Sequence, residues 1–544
     1  MSLGGVGEFG KNMYIVEVDN DIYILDAGYM LPENEMLGID IVIPDISYLL
    51  SNKDRIKGLF LSHAHEDHIG AIPYLLRNLP IDVYGSKLTI EIAKTLVEKH
   101  PIHSKVAFHI INKDTVLTLG NVKISFFATT HSIPDSLGIS IHTSRGAIVY
   151  TGDFKFDQGA TALYKADIGK IAQIGQEGVL ALLSDSKEAE KPGYSTSEAV
   201  ILQTMIDSFN VAKGRIISVC FASDFIRLQH IFDSAEKSNR KVAFLTKQIQ
   251  PSIKKALELG YLTIKEDILI DISSINEYAE DEIVIIATGV QNEPIETLNK
   301  MARNQNKPTN LKKGDTVLLA FNPLRGSEVY TFKTIDLVYR AGATVINGKG
   351  VLSATSHGHQ EELKMMINLL QPTYFFPVQG EYRMLKAHTK IAVECGIPAK
   401  NCFIFDKGEF VELTNNQIKL GGKVNAGHVL IDGSGVGDVG NIVLRDRRLL
   451  SQDGILLVVV TLSKKEKRVV SGPEIITRGF VYVRESEALL VEASSRVRTI
   501  VEKNIEKDIF DWTGIKQEMR DELNQFLYEK TKRRPMILPI IMEV

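Results

Sequence analysis

The chain has 544 residues, of which 44% are hydrophobic and 24% charged, and its formal net charge is −4. This length is too great for one compact core and predicts about three domains. The slightly acidic balance excludes a general positive field as the means of holding nucleic acid, so an RNA partner would need local basic patches.

The three cysteines, Cys220, Cys395 and Cys402, are scattered. They exclude a disulfide framework and a cysteine-rich zinc site, and they are typical of a reducing cytosol. We find no apolar run long enough to span a bilayer, and the start lacks the basic and apolar regions of a signal peptide. We therefore expect a cytoplasmic protein with no membrane partner.

The first part of the chain, to about residue 190, alternates short apolar runs with turns, which predicts a layered α/β domain. The expected strands are Tyr14–Val18, Ile22–Leu25, Gly58–Leu61 and Ala147–Tyr150, and the clearest helix is Ser86–Lys99. From about 195 to 350, a helix-length segment precedes buried strand-like runs, which predicts an inserted α/β domain with a parallel sheet. These segments are Ser197–Phe209, Arg215–Phe221, Glu282–Ala287 and Asp315–Ala320.

After residue 360 the pattern predicts a helix, Gln360–Leu370, and a strand, Tyr374–Val378. The stretch Gly421–Gly440 has seven glycines and little periodicity, which indicates a linker. A small α/β unit is expected after it. Its predicted strands are Gly454–Leu462, Gly479–Val483 and Met536–Val544, and its predicted helices are Glu485–Lys503 and Gly514–Lys530.

Four side chains of metal-ligand type follow the strand that ends at Leu61: His63, His65, Asp67 and His68. On an extended loop His63 and His65 point the same way, because side chains alternate with period two. Asp67 and His68 lead into an expected helix over residues 69–77, so one short loop can serve two adjacent ions. Imidazoles combined with carboxylates suit Zn²⁺ or Mn²⁺. A surface loop rich in histidine by chance is the alternative, and such a pattern directly after a strand is rare by accident.

Two further candidates stand at strand ends. His131 follows the expected strand Val122–Phe127, and Asp153 follows Ala147–Tyr150. Either residue alone would more often be structural. Three sites of this kind after three successive strands favour a shared metal site.

This ordered set resembles the metallo-β-lactamase superfamily, which implies an α/β fold with an αββα core. By that resemblance His63, His65 and His131 hold a first ion, Asp67 and His68 hold a second, and Asp153 bridges both. Asp26 matches an early aspartate that supports the ligands in that fold. Two adjacent ions form an arrangement suited to phosphodiester hydrolysis.

Three short segments resemble the signatures of the β-CASP nucleases: Ser184–Ser186, Ser353–Gly358 and Pro377–Tyr382. The chain is similar to the ribonuclease J family over nearly its whole length, although its start looks several residues shorter than is usual there. The implied domains are listed here in order: a metallo-β-lactamase domain over 1–194 and 353–422, an inserted β-CASP domain over 195–352, a linker over 423–440, and a C-terminal α/β domain over 441–544.

The resemblance also implies roles for individual residues. Asp67, Asp185 and His357 would be catalytic, with Asp185 supporting the site and His357 protonating the leaving oxygen. The terminal 5′ phosphate of RNA would lie against hydroxyls and amides, which bind phosphate without reading bases. The residues expected there are Ala222, Ser223, Asp224, Ser353, Ala354, Thr355, Ser356 and His357. Each segment taken alone would be an ordinary serine or threonine turn.

The chain departs from the family pattern around this chemistry. Gln379 stands where the family has a histidine ligand of the second ion, and an amide oxygen is a poorer zinc ligand than imidazole. Ser353 replaces another histidine, Lys187-Glu188 replaces Thr-Asn, and the run Ser223–Arg227 differs from the usual Ser-Asn-x-His-Arg. The chain thus resembles a second, partly degenerate paralogue, with up to two ions and the second one weakened.

Two hypotheses follow. The first is a metal-dependent ribonuclease of reduced activity, a 5′→3′ exonuclease with possible endonucleolytic cuts, that acts on RNA with a 5′-monophosphate end. The second is a largely non-catalytic scaffold or RNA-binding subunit of a complex with an active ribonuclease J paralogue. The expected assembly is a homodimer or a hetero-oligomer with that paralogue, formed through the C-terminal domain. Hydrolysis of a small thioester or lactam is disfavoured by the β-CASP signatures.

Overall fold

The computed structural model describes residues 1–100, 105–245, 250–307, 309–323, 326–347, 350–414, 417–482, 486–507 and 510–544. The chain divides into two units, one of Met1–Leu31 and Val42–Val429, and the other of Pro32–Ile41 and Leu430–Val544. Among the described residues, no helix combines the length and the apolar character that crossing a membrane requires.

The elements of the first part follow one another in this order: β1 (Ser2–Gly4), β2 (Met13–Val18), β3 (Asp21–Leu25), β4 (Ile41–Pro44), α1 (Ser47–Ser51), β5 (Ile56–Phe60), α2 (Glu66–Ile69), α3 (Ile72–Asn78), β6 (Val83–Gly85), α4 (Lys87–Glu98), β7 (Phe108–Ile110), β8 (Val116–Leu119), β9 (Val122–Ala128), β10 (Leu137–Thr143), β11 (Gly146–Tyr150), α5 (Ile168–Glu177) and β12 (Val179–Asp185). Two six-stranded sheets result, ordered β1-β2-β3-β5-β6-β7 and, with the later strand β18 (Tyr374–Val378), β18-β12-β11-β10-β9-β8.

The two sheets face each other across a core of alternating strand residues, because successive side chains point to opposite faces of a strand. Tyr14 and Leu25 from the first sheet and Phe126 and Ile139 from the second are buried in this core. A second core lies between the second sheet and the helices on its outer face. The mixed α/β architecture expected from the sequence is thereby confirmed.

The inserted domain alternates helices and strands: α6 (Glu198–Val211), β13 (Ile216–Phe221), α7 (Phe225–Lys237), β14 (Lys241–Phe244), α8 (Pro251–Glu258), β15 (Ile283–Gly289), α9 (Glu293–Ala302), β16 (Thr316–Leu319), α10 (Glu328–Arg340) and β17 (Thr344–Ile346). Its five strands form the sheet β14-β15-β13-β16-β17, and all pairs are parallel. The predicted parallel sheet is confirmed.

The chain then returns to the first architecture through α11 (Gln360–Leu370), β18, α12 (Tyr382–Glu394) and the hairpin β19 (Glu409–Thr414) and β20 (Gln417–Lys423). The carboxylate of Glu362, at the start of α11, is fully buried. It accepts hydrogen bonds from the amides of Phe156 at 3.0 Å, Ser195 at 2.7 Å and His359 at 2.8 Å. One side chain therefore joins the points where the chain enters and leaves the insert.

The remaining elements are β21 (His428–Asp432), β22 (Gly435–Val436), α13 (Asn441–Asp453), β23 (Ile455–Ser463), β24 (Arg468–Arg478), α14 (Glu487–Glu506), α15 (Trp512–Thr531) and β25 (Met536–Glu543). Strands β24, β23 and β25 form one sheet. One face of it is buried with α14 and α15. The other face leaves Leu538, Ile540 and Met542 of β25 exposed.

Three local expectations differ from the structure. The helix expected over 69–77 is broken after Ile69, where Gly70 packs so closely on Tyr29 that a Cβ would lie 2.1 Å from the ring. The stretch 423–440, expected to be a linker, contains β21 and β22.

The third difference concerns the predicted strand Gly479–Val483. Residues 479–482 are not a strand, and Val483 lies outside the described residues, as does the first residue of the predicted helix Glu485–Lys503. The strand of this region is β24 (Arg468–Arg478), which ends just before the predicted one. Its pairing with β23 shifts between Val459 and Thr461. Gly472 and Pro473 occupy the resulting bulge, and such a bulge interrupts the alternation by which a strand is predicted.

Candidate metal centre and active site

The candidate site residues lie at or just beyond the ends of strands from both six-stranded sheets. His63 and His65 follow β5, His131 follows β9, Asp153 follows β11, and Asp185 is the last residue of β12. The facing sheets bring these strand ends together. The structure therefore gathers side chains from four separate stretches of sequence into one site.

The first cluster consists of His63, His65, His131 and Asp153, whose ligand atoms all lie within 4.8 Å of one another. His65 Nδ1 is 3.1 Å from His63 Nε2 and 3.0 Å from His131 Nε2. Asp153 Oδ2 is 3.8 Å from His63 Nε2 and 3.6 Å from His131 Nε2. Ligands about 2.0–2.1 Å from a tetrahedral zinc ion would be about 3.3 Å apart. The separations between histidine nitrogens are slightly shorter than that value, and those from histidine nitrogens to Asp153 are slightly longer.

The outward nitrogens of these imidazoles are held by oxygen atoms. His65 Nε2 lies 3.3 Å from the carbonyl oxygen of Ser223, and His131 Nδ1 lies 3.1 Å from that of Ser356. Since a carbonyl only accepts, each of these ring nitrogens carries the proton and the other ring nitrogen presents a lone pair.

His63 follows the same rule. Ser62 Oγ donates to Asp26 at 2.7 Å and so accepts from His63 Nδ1 at 3.0 Å. Burial also lowers the pKa of His63 and His131 well below the usual histidine value and that of His65 to about 4. Three neutral lone pairs converge beside a buried carboxylate, so the first cluster fits a Zn²⁺ or Mn²⁺ ion.

Asp26 supports the cluster through hydrogen bonds to the groups around it, and its backbone φ is +61°. Its carboxylate accepts from the Ser62 amide at 2.7 Å, from His68 Nδ1 at 2.7 Å and from the Tyr150 hydroxyl at 2.8 Å. These bonds fix His68 and the loop that carries His63. The contacts agree with the supporting role that the family resemblance implies.

The second cluster, Asp67, His68 and Asp153, also has ligand atoms within 4.8 Å of one another. However, the Lys187 ammonium lies 3.0 Å from Asp67 Oδ2 and 3.0 Å from Asp153 Oδ2. His68 Nε2 is 3.2 Å from Asp153 Oδ1 and 3.1 Å from Asn12 Nδ2. Burial alone would lower the pKa of His68, but the charges of Asp153, Asp67 and Asp26 raise it well above its usual value.

Gln379 is buried beside this second cluster and has a backbone φ of +59°. Its side-chain amide donates to the Tyr150 hydroxyl at 2.9 Å, while its backbone amide donates to Gly5 O at 2.7 Å. The amide nitrogen is thus turned to Tyr150, whose own proton goes to Asp26. Gln379 Oε1 has no hydrogen-bond partner among the described residues, but with Lys187 on both carboxylates the second position does not fit a divalent ion.

A third group of side chains, Asp153, Asp185 and His357, links the first cluster to the expected general acid. His357 Nδ1 lies 2.6 Å from Asp185 Oδ2, and His357 Nε2 lies 3.8 Å from Asp153 Oδ2. Burial alone would lower the pKa of His357, but the Asp185 charge raises it above the usual value. A protonated imidazole with Nε2 turned to the metal cluster can deliver a proton there.

The residues expected to hold a 5′ phosphate make hydrogen bonds to other groups of the protein. Among the described residues, Ser223 and Ser356 of this set touch the histidine cluster with their carbonyl oxygens, which do not bind phosphate. The amides of Ala222 and Ala354 are bonded to Gly289 O at 3.0 Å and Val351 O at 3.1 Å. These contacts do not test the phosphate-binding role, which stays a prediction.

The other members of the set are engaged locally or belong to other groups. The Ser353 hydroxyl donates to Gly350 O at 3.3 Å, and the Thr355 hydroxyl accepts from the His357 amide at 3.2 Å. Asp224 accepts from the backbone of Arg227 at 3.1 Å and caps α7. Burial raises the pKa of Asp224 to about 6, despite the nearby Arg227 charge.

The sequence interpretation missed the placement of Lys187 and the contacts of Asn12 and Tyr150 with the second cluster. The only signal was the departure at Lys187 from the residue usual in the family. The long sequence separations from Lys187 to Asp67 and Asp153, 120 and 34 residues, gave no indication of contact.

Comparisons with known proteins agree with this architecture. Four family models match the chain in succession: the metallo-beta-lactamase superfamily over residues 6–194, the ribonuclease J beta-CASP domain over 213–338, the Zn-dependent metallo-hydrolase RNA specificity domain over 351–404, and the ribonuclease J C-terminal domain over 442–544.

Two curated relatives match across the entire chain and 97% of their own length. Ribonuclease J 2 of Staphylococcus aureus strain NCTC 8325 is 53% identical over 542 residues, and Ribonuclease J 2 of Staphylococcus epidermidis strain RP62A is 51% identical over 542 residues. A crystal structure of a protein of unknown function from Enterococcus faecalis V583 superposes with a TM-score of 0.51 at 16% identity, covering 75% of this chain and 98% of that one. That likeness concerns the fold alone. With a metallo-β-lactamase site, a β-CASP insert and full-length identity above one half to its relatives, the chain belongs to the ribonuclease J family of metal-dependent hydrolases.

Proposed function

We propose that this protein is a metal-dependent ribonuclease of reduced activity that degrades RNA from a 5′-monophosphate end in the 5′→3′ direction. The observation that carries the proposal is the first cluster, in which three neutral imidazoles and Asp153 lie beside His357. These groups combine a cation site with a proton donor, and the two together can cleave a phosphodiester.

The chain's own residues divide the work. His63, His65, His131 and Asp153 would hold one Zn²⁺ or Mn²⁺ ion, which when bound acts as a Lewis acid on a phosphodiester. His357, kept protonated by Asp185, would give its Nε2 proton to the leaving oxygen. Asp67 is paired with Lys187 and contributes charge to the site. Reduced activity is expected because the second cluster lacks its histidine at Gln379 and carries an ammonium.

RNA is favoured as the substrate by the RNA specificity domain model over residues 351–404. The relatives at 53% and 51% identity are named as ribonucleases. We place the activity in the cytoplasm, where the free thiols of Cys220, Cys395 and Cys402 would remain reduced.

The test compares one RNA carrying a 5′-monophosphate, a 5′-triphosphate or a 5′-hydroxyl, with added Mn²⁺ and without any other ribonuclease. Release of mononucleotides from the labelled 5′ end, fastest for the monophosphate, is the expected result. Internal cuts independent of the 5′ group would indicate an endonuclease instead. The His65→Ala variant should lose whichever activity is seen, and activity that survives it would refute the proposed site.

A second candidate function is a scaffold or RNA-binding subunit that works beside an active ribonuclease J paralogue. The observation in its favour is the second cluster, where Lys187 and Gln379 disfavour an ion. The exposed apolar face of β25 offers a contact surface for a homodimer or a hetero-oligomer. If this function is correct, the His65→Ala variant should stimulate an active paralogue as well as the unmodified protein does.

A further inference from the structure

The Lys187 ammonium occupies the space between two carboxylates that the fold would otherwise use for a second ion. Its Nζ is 3.0 Å from both Asp67 Oδ2 and Asp153 Oδ2, and only 12% of the side chain is exposed. The Lys187 amide donates to Asp185 Oδ1 at 2.9 Å, which fixes the turn from which the side chain extends. Lys187 is therefore held both at its backbone amide and at its ammonium group.

Most other groups around this position are engaged by the protein, although Gln379 Oε1 and Asp153 Oδ1 are buried without a hydrogen-bond partner among the described residues. Asp26 accepts from His68 Nδ1 at 2.7 Å, and Asp153 Oδ1 lies 3.2 Å from His68 Nε2. The amide of Gln379 donates to Tyr150 at 2.9 Å. The first cluster differs, because there three nitrogen lone pairs face one another.

The charges explain why a cation must stand here. The carboxylates of Asp153, which is buried, and of Asp67, whose side chain is 29% exposed, share a pocket and repel each other, so the fold needs a positive charge between them. Lys187 supplies it from within the chain. A divalent ion in the second position would have to share both Asp67 Oδ2 and Asp153 Oδ2 with this ammonium and would be repelled by it. An ion in the first cluster would share only Asp153 Oδ2 with it and would gain three imidazole nitrogens.

We propose that Lys187 is a built-in substitute for the second metal ion, and that this lysine, more than the loss of a histidine at Gln379, makes the site a one-ion centre. The inference rests on the proposed function for the assignment of the first cluster as a metal site. An ammonium balances charge and donates hydrogen bonds, but it cannot accept an oxygen lone pair as a metal does. Lys187 is thus a positioning residue for Asp67 and Asp153.

Metal content of the full chain separates this explanation from a missing ligand. The proteins are loaded with Mn²⁺, dialysed and analysed for manganese per chain, with electron paramagnetic resonance to detect ion pairs, since two ions in such a site lie about 3.5–4 Å apart. The unmodified protein and Gln379→His should each hold one ion. The double variant Lys187→Thr with Gln379→His should hold two coupled ions.

Each other result overturns the proposal. Two ions in the unmodified protein or in Gln379→His alone would show that Lys187 does not exclude the second ion. A single ion in the double variant would show that Lys187 is not what prevents binding. Lys187→Arg keeps the charge and must also hold one ion, so a second ion in that variant would contradict the charge argument.

Thermal stability supplies a readout that does not depend on RNA. Lys187→Met leaves Asp67 and Asp153 without their cation, so it should melt at lower temperature without divalent ions and recover when Mn²⁺ is added in excess of the first site. The matched control is Lys191→Met, four residues further on, whose side chain is 52% exposed and pairs with Glu188. It should show neither effect.

Recovery that is equal in the two lysine variants, or absent in Lys187→Met, would refute the proposal. None of these measurements uses RNA. One ion per chain without any cleavage of RNA would therefore refute the proposed function and leave the role of Lys187 standing.

Discussion

Replacing Asp224 by asparagine should tighten the binding of a 5′ phosphate. Asp224 caps α7, and its carboxylate oxygen lies 3.8 Å from Arg227 Nε with 22% of the side chain exposed. The neighbouring Ser223 carbonyl lies 3.3 Å from His65, so the segment borders the metal cluster. By the family resemblance, asparagine is expected at this position. An ionised carboxylate there repels the phosphate that the segment is expected to bind.

The magnitude follows from the pKa of Asp224, which burial raises to about 6. A phosphate is tolerated only when the Asp224 carboxyl is neutral. At about pH 7.5, protonating a carboxyl whose pKa is about 6 costs about 2 kcal/mol, since one pKa unit corresponds to 1.36 kcal/mol. Asparagine does not carry this cost and caps a helix as well as aspartate does. The variant should therefore bind about 30-fold more tightly at about pH 7.5, since 1.4 kcal/mol is tenfold. The advantage should disappear below about pH 6, where Asp224 itself is neutral.

The substitution should not unfold the protein. A carboxyl group whose pKa is raised on folding contributes stability below its unfolded value, near 3.8, and loses it as the pH rises through about 6. Asparagine lacks this loss, so the melting temperature of the variant should be at least that of the unmodified protein at neutral pH.

The assay is fluorescence anisotropy with a 2′-O-methyl oligonucleotide, which resists cleavage, bearing either a 5′-monophosphate or a 5′-hydroxyl. Asp233→Asn makes the same change of charge on the same helix and serves as the control. An equal gain with the 5′-hydroxyl, an equal gain in the control, or a gain that does not change with pH would refute the reasoning.

Three further predictions concern the site and the assembly. His65→Ala removes one of the three facing imidazoles and should lower metal affinity at the first cluster by at least about 10-fold, measured by metal titration. Asp185→Asn removes the charge that raises the pKa of His357; because a general acid must be protonated, the alkaline limb of the pH–rate profile should move to lower pH. Removal of residues 441–544 deletes β25 with its exposed Leu538 and Ile540, so light scattering should find a metal-binding monomer, and an unchanged mass would place the interface elsewhere.

The parts of the site that depend on local sequence were predictable. His63 and His65 alternate on one extended loop directly after a strand, and His131 and Asp153 follow strands of their own. Each of these placements needs only a strand boundary and the period of its side chains. The family resemblance then supplied their common location.

The parts that depend on tertiary contact were not predictable. Lys187 meets Asp67 across 120 residues, and the reach of a flexible side chain cannot be read from spacing. The break after Ile69 coincides with contacts between distant segments, since the Ala71 amide donates to Ala27 O at 2.8 Å and Tyr29 packs on Gly70. Strand β24 was not predicted because Gly472 and Pro473 interrupt the alternation of its apolar and polar side chains at a bulge.

The contacts of Glu362 bear on how the insert can move. Its buried carboxylate holds Ser195 and His359, the two crossings between the main fold and the insert, together with Phe156. Parting the two crossings would separate these donors and leave a charged group buried without partners, which costs several kcal/mol. The two connections should therefore stay side by side, so that the insert turns about a single hinge.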